Sequence, residues 1–342
     1  MMTNAAPLAG IFGCDGVTLS ADEMAFFRDI NPLGLILFRR NCESRDQLKR
    51  LTDSFREAVG RADAPILIDE EGGRVQRLQP PEWVAHPAAR ELGVVAEKNL
   101  ERGVRAAYIN AQLIAHELVQ LGINVDAAPV LDLLVDGANE VIGSRAFSKD
   151  PELVAAMGRA ACEGFLSAGV LPIIKHMPGH GRANADSHIA LPTIDVDGDT
   201  LLATDMVPFR RLNDMPWAMT AHIVYPQLDA ERPCTQSPIL IGHWLRERIG
   251  FGGVIITDCI HMNALEGTHA ERAARSVAAG VDLVLNSHGP VSDMYEVAKV
   301  LPVLEGMVKQ RVERSLQMMQ KGEELDVQML MKEREDLLKA GR

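Results

Sequence analysis

Residues 253–258 read Gly-Val-Ile-Ile-Thr-Asp: a glycine, an unbroken apolar run, and a carboxylate where the run ends. A half-exposed antiparallel strand alternates apolar and polar residues, whereas a strand covered on both faces is apolar nearly throughout. The pattern recurs along the chain. Comparable runs occupy 9–13, 34–38, 66–69, 124–130, 171–176, 217–222 and 281–286, which makes eight strand candidates in all. Between several of them lies room for a helix. Val104, Ala107, Ala111, Ile114 and Leu118 recur three or four residues apart on one helical face. Residues 151–169 open on Pro151 in a first-turn position, and 268–280 close on Gly280, in keeping with helix start and stop chemistry.

Strand alternating with helix implies parallel pairing, and a count of eight points to closure into a (β/α)8 barrel; a doubly wound open sheet is the second reading. Residues 291–342 are rich in Met, Glu, Lys and Leu, with no Gly or Pro between Glu323 and Lys339, so they read as mostly helical and packed outside the barrel. The expectation is therefore an α/β protein with one barrel domain over 1–342 and a C-terminal helical extension.

Bulk properties narrow the function classes. The net charge of −12 argues against nucleic acid or an anionic membrane as partner. The hydrophobic fraction of 47% with only 4% aromatics suits a large aliphatic core. Cys14, Cys42, Cys162, Cys234 and Cys259 form an odd set without CxxC spacing, which speaks against a disulfide framework and a structural zinc site. The N-terminal residues lack a basic region followed by a long apolar one, and no apolar run reaches the length of a membrane span. A cytoplasmic protein is expected.

Polar residues collect where the apolar runs end, and a barrel builds its active site from those ends. Asp69 ends the third run, Lys175 and His176 the fifth, His222 the sixth, Asp258 the seventh and Asn286 the eighth. Any single strand meets polar residues on leaving the core; five doing so together point to a site. The densest chemistry is Lys175-His-Met-Pro-Gly-His180-Gly-Arg-Ala-Asn-Ala-Asp186-Ser-His188, where Pro178, Gly179 and Gly181 favour a loop. Asp186 and His188 are close enough in sequence for the carboxylate to support a charged imidazole, a general acid/base arrangement. Read as a metal site instead, His176, His180, His188, Asp186 and His222 would be the ligands, although no HxH pair ends the first strand as metal-dependent barrel hydrolases usually have. Asp258 fits the nucleophile of a retaining glycosidase, or more plainly a helix cap. After the third run, Asp69-Glu-Glu-Gly-Gly-Arg74-Val-Gln-Arg77 joins two glycines to carboxylate and guanidinium groups suited to sugar hydroxyls or an acetamide.

Taken together, DEEGGRVQRL, NVDAAPVLDL, KHMPGHG with DSH downstream, MTAHIVYP and GVIITDCIHMNAL resemble, in order, the glycoside hydrolase family 3 β-N-acetylglucosaminidases of NagZ type, over about residues 10–290. The resemblance implies Asp258 as nucleophile and His188, paired with Asp186, as acid/base. It further implies that Asp69, Arg77, Arg145, Lys175 and His176 hold the N-acetylglucosamine, with His222 and Asn286 as additional pocket candidates. The implied substrate is a muropeptide, N-acetylglucosamine linked to 1,6-anhydro-N-acetylmuramic acid carrying a stem peptide. Neither metal nor organic cofactor is implied, and a monomer is expected. Glu70, Met177 and Arg182 depart from the residues frequent in the family at those places. Because an imidazole repels phosphate less than a carboxylate does, a phosphorylase on the same scaffold is a second reading. A non-catalytic sugar-binding protein is a third, disfavoured by the presence of Asp258 and the DSH pair.

Overall fold

The computed structural model describes residues 6–187, 190–319, 325–339 and 341. The candidate acid/base His188 lies outside the described residues.

Strands β1 (Leu8–Gly13), β2 (Pro32–Leu37), β3 (Ile66–Ile68), β6 (Val125–Asp126), β7 (Leu171–Met177), β8 (Trp217–Thr220), β9 (Val254–Cys259) and β10 (Leu283–Asn286) close into a barrel in the order β1-β10-β9-β8-β7-β6-β3-β2. Every neighbouring pair in it is parallel. The short strands β4 (Glu70–Gly72) and β5 (Val75–Gln76) form a separate antiparallel hairpin after β3. Helices α1 (Ala21–Ile30), α2 (Arg45–Val59), α3 (Ala89–Lys98), α4 (Leu100–Gln120), α5 (Pro151–Ser167), α6 (Gly198–Ala203), α7 (Val207–Arg211), α8 (His269–Ala279), α9 (Val291–Val300), α10 (Gly306–Gln317) and α11 (Val327–Lys339) complete the chain, with a π-helical segment at Ile239–Arg248.

The near-continuous apolar runs follow from two cores. Ile11, Ile36, Leu67, Ile173, Trp217, Ile256 and Leu285 point into the barrel and pack on one another. Their neighbours Phe12, Leu35, Ile66, Ile174, Ala218, Ile255 and Val284 point out against the helices. Alternation is still present, but both destinations are apolar. The run 124–130 yields only a two-residue strand, because Pro129 has no N–H to give the ladder. The pairing continues irregularly, with the carbonyls of Ala128 and Pro129 accepting from Ile173 and Lys175 at 3.1 and 3.2 Å.

Helix ends obey local chemistry. Asp150 caps α5, accepting from the amides of Glu152 and Leu153, with Pro151 in the first turn. Thr268 and Glu271 form a reciprocal capping box on α8, and Gly280 ends it at φ 103°. The C-terminal helices do more than lie outside. Leu304 and Val312 join the interior core, and Trp217 of β8 donates to the Ser315 hydroxyl at 2.8 Å, so α10 closes the amino-terminal mouth of the barrel. The carboxyl-terminal mouth is left for chemistry.

Candidate active site

At the carboxyl ends of the strands lies a cavity of about 290 Å³, lined by Asp69, Glu71, Arg77, Arg145, Lys175, His176, His180, Asp186 and Asp258 among others. One wall is a ladder of charge. Arg77 donates to Asp69 at 2.8 Å and Lys175 to the other oxygen of Asp69 at 2.9 Å. Lys175 also meets Glu71 at 2.7 Å, and Arg145 engages both oxygens of Glu71 at 2.8 Å in a bidentate fork. Lys175 is only 2% exposed, so two carboxylates rather than water balance its charge. Burial by itself raises the carboxyl pKa of Asp69 and Glu71. The Lys175 and arginine charges outweigh it, holding Asp69 far below its usual range and Glu71 down to about 2.

The hairpin delivers these groups. Gly72 turns at φ 89°, and a Cβ there would come within 2.4 Å of the Pro87 carbonyl, so only glycine folds the segment back to bring Arg77 over Asp69. The hairpin is pinned by Glu70, whose side chain accepts from the Arg77 and Leu78 amides at 2.8 and 3.1 Å. Burial pushes the Glu70 carboxyl well above its usual pKa and that of neighbouring Asp126 up to about 8. The shift favours the neutral form of Glu70, which has the shape of the Gln frequent there in the resembling family.

A second carboxylate organises β7 and the loop after it. Fully buried Asp132 meets His176 Nδ1 at 2.6 Å and accepts from the backbone amides of His176 and His180 at 3.2 and 2.7 Å. His176 Nε2 is thereby presented to the cavity, 3.4 Å from Arg145. His180 packs edge-on against His176, with ring centroids 5.5 Å apart, and its Nε2 lies 3.3 Å from the Ser187 hydroxyl. Burial, reinforced by His176, depresses the His180 pKa to about 4, so it is a neutral spacer under the loop. A Cβ on Gly181 would sit 2.1 Å from the Leu133 carbonyl, which fixes how closely the loop crosses that segment. Arg182 points away from the chemistry and binds buried Asp205 at 2.7 Å, tethering the loop to the α6–α7 turn.

Opposite the charge ladder, Asp258 is half-buried at the end of β9, and one of its oxygens accepts from the Cys259 amide at 2.7 Å. Asp186, also half-buried, lines the same cavity from the loop. The structure thus brings Asp69, Arg77, Arg145, Lys175, His176, Asp186 and Asp258 around one space. It does not bring His222 or Asn286 to that wall. His222 is fully buried, with Nδ1 2.7 Å from the Thr235 hydroxyl and Nε2 3.0 Å from the Cys259 carbonyl, a brace beneath the β9 end. Asn286 pairs with His261 at 2.6 Å. For the metal reading, no group of three or more His, Cys, Asp or Glu among the described residues is arranged to hold an ion.

Glu71 and Asp132 are site residues that sequence reasoning passed over. Glu71 had a signal, an acid two positions past a strand-end aspartate. Asp132 had a weaker one, a carboxylate just beyond the fourth apolar run.

A family model described as the glycosyl hydrolase family 3 N terminal domain matches residues 16–320. A β-hexosaminidase of Methylococcus capsulatus is 38% identical over 299 residues, covering 86% of this chain and 86% of that protein. One of Chromobacterium violaceum is 37% identical over 305 residues, covering 87% and 84%. Among solved structures, NagZ of Neisseria gonorrhoeae in complex with N-trifluoroacetyl-D-glucosamine matches with a TM-score of 0.86 at 32% identity over 99% of each chain. A family 3 β-N-acetylglucosaminidase of a Paenibacillus species gives 0.79 at 32% identity, over 96% of this chain and 61% of that one. The chain belongs to glycosyl hydrolase family 3 and is a glycoside hydrolase.

Proposed function

We propose that this enzyme is a retaining β-N-acetylglucosaminidase that removes a terminal N-acetylglucosamine through a covalent glycosyl-Asp258 intermediate. The observation that carries the reading is the placement of Asp258 across one 290 Å³ cavity from a prearranged set of carboxylate, guanidinium and ammonium groups. Asp69, Arg77, Arg145, Lys175 and His176 hold the sugar by its hydroxyls and acetamide, which fixes the anomeric carbon over Asp258. The names of the relatives, β-hexosaminidase and β-N-acetylglucosaminidase, and the N-trifluoroacetyl-glucosamine bound by the gonococcal protein support an N-acylated amino sugar.

In the first step the Asp258 carboxylate attacks the anomeric carbon, the glycosidic C–O bond breaks, and the leaving oxygen takes a proton from His188, whose charged form Asp186 supports. In the second step His188 accepts a proton from water as that water displaces Asp258, releasing free sugar. The natural substrate in this proposal is a muropeptide of the cell-wall recycling type, cleaved in the cytoplasm by a single barrel domain acting as a monomer. No described helix is long and apolar enough to cross a membrane.

Trapping with a 2-fluoro sugar bearing a good leaving group, followed by mass spectrometry of the peptides, tests the mechanism. The adduct is expected on the peptide containing Asp258. A label on any other residue refutes the nucleophile assignment.

A further inference from the structure

Away from the catalytic cavity, a separate crevice of about 320 Å³ lies between α2, α4 and α11. Its floor holds an unusual charge. Arg334 is 5% exposed, yet it makes no ion pair within 4 Å among the described residues. Its Nη1 donates to two neutral acceptors, Asn110 Oδ1 at 2.7 Å and His86 Nδ1 at 2.9 Å, and its Nε has no partner. An unpaired buried guanidinium is costly, and buried charges are ordinarily matched by a counter-charge.

The neighbouring groups do not provide one. Glu117, the carboxylate on the crevice wall, is paired with Arg45 and lies 3.7 Å from His86 Nε2. Because His86 accepts from Arg334 through Nδ1, its proton sits on Nε2 and faces Glu117, and burial lowers its pKa so that it stays neutral. Arg45 and Glu117 pair with each other, and Glu335, the carboxylate that acts on Arg334 electrostatically, lies beyond ion-pair distance, so the crevice floor carries the Arg334 charge. The rest of the lining is apolar at Val84, Leu113, Val327 and Met331 and polar at His116 and Gln120, whose side chains meet at 2.6 Å.

We infer that this crevice is a binding site for a small carboxylate with an apolar body, whose carboxyl group pairs with Arg334 and whose body lies on Leu113, Val327 and Met331. With Nη1 committed to Asn110 and His86 and Nε closed off, Nη2 is the guanidinium nitrogen left to meet a carboxylate oxygen, and the volume is that of a small-ligand pocket. A fully charged, fully polar anion such as phosphate would satisfy Arg334 but leave the apolar walls wet and place a second charge beside Glu117.

Calorimetric titration of the full chain with hexanoate, inorganic phosphate and hexanamide, at constant ionic strength, tests the assignment. Hexanoate is expected to bind saturably at one site, at least tenfold more tightly than either phosphate or hexanamide. Arg334→Met should weaken hexanoate binding at least tenfold. Met331→Trp, which fills the crevice without touching the guanidinium, should do the same in a protein that keeps its glycosidase activity and thermal midpoint. Absence of saturable hexanoate binding, equal binding of hexanamide or phosphate, or hexanoate affinity unchanged in a folded Met331→Trp protein would each overturn the site.

Discussion

The two walls of the catalytic cavity are built on opposite plans. On the side of β3 to β7 side chain locks side chain: Asp69 is held by Arg77 and Lys175, Glu71 by Lys175 and Arg145, and His176 by Asp132, while Arg74 is held by backbone carbonyls. On the other side Asp258 stands at the end of one strand, its carboxylate accepting from the Cys259 amide, and Asp186 stands on a loop where its backbone carbonyl accepts from Ala190. The contrast assigns the labour. A preformed array costs no reorganisation when the sugar arrives, so binding energy goes into orientation.

The sharpest way to break this comparison is to alter each wall alone. Asp258→Asn keeps the shape and removes the attacking charge, so kcat on an aryl N-acetylglucosaminide should fall on the order of 10⁴-fold or more. The apparent affinity for the sugar should change little, because the opposite wall is intact. A kcat within tenfold of the parent enzyme would refute the division.

Glu71→Gln attacks the locked wall and should act mainly on stability and KM. The Arg145 fork loses its carboxylate and Lys175 keeps only Asp69, leaving buried positive charge unbalanced at a cost of about 3 kcal/mol. The pH dependence carries a sign. With its folded pKa depressed from 4.5 to about 2, Glu71 contributes stability present above the ordinary range and lost as pH falls from there toward 2. Denaturation midpoints measured from pH 7 down to 3 should therefore converge for the two proteins toward the acid end. Parallel curves would show that Glu71 is not the coupling group.

How far this arrangement was readable from sequence differs between the walls in the same way. The barrel was legible because both strand faces are buried, which writes each strand as an apolar run. Asp258, Lys175 and His176 were legible because they terminate such runs. The cross-braces were not: Asp132 and Glu71 act on residues 44 and 74 positions away, and nothing local in the sequence announces the pairing. His222 and Asn286 misled for the same reason, since the end of a strand fixes height in the barrel but not whether a side chain faces the cavity or a neighbour. The hairpin at 70–76 was not legible: its two glycines read as room for a ligand, and Gly72 in fact serves to turn the segment back.

A smaller effect probes the loop. Arg182→Ala removes the tether to Asp205, which is 1% exposed, and should cost about 1–2 kcal/mol of stability. Since Arg182 itself is 30% exposed, solvent moderates the loss. If the loop carries the acid/base, kcat should drop several-fold while KM holds. A rise in KM with kcat unchanged would place the loop on the binding side instead.

The finest test concerns Glu70, which braces the hairpin of the locked wall and whose carboxyl is shifted by burial toward its neutral form. Between the ordinary carboxyl range and its raised folded pKa, the unfolded chain has released a proton that the folded protein keeps. Stability therefore falls as pH rises through that window and levels once the folded group ionises. Glu70→Gln keeps an acceptor for the Arg77 and Leu78 amides and removes the titration. It should match the parent near pH 4 and become progressively more stable than the parent as pH rises, with activity unchanged. Part of the slope should survive in the variant, because Asp126, pushed to about 8 by burial, titrates in the same direction. A variant less stable than the parent at pH 8 would mean that Glu70 is ionised in the folded protein, and that the hairpin is held by charge after all.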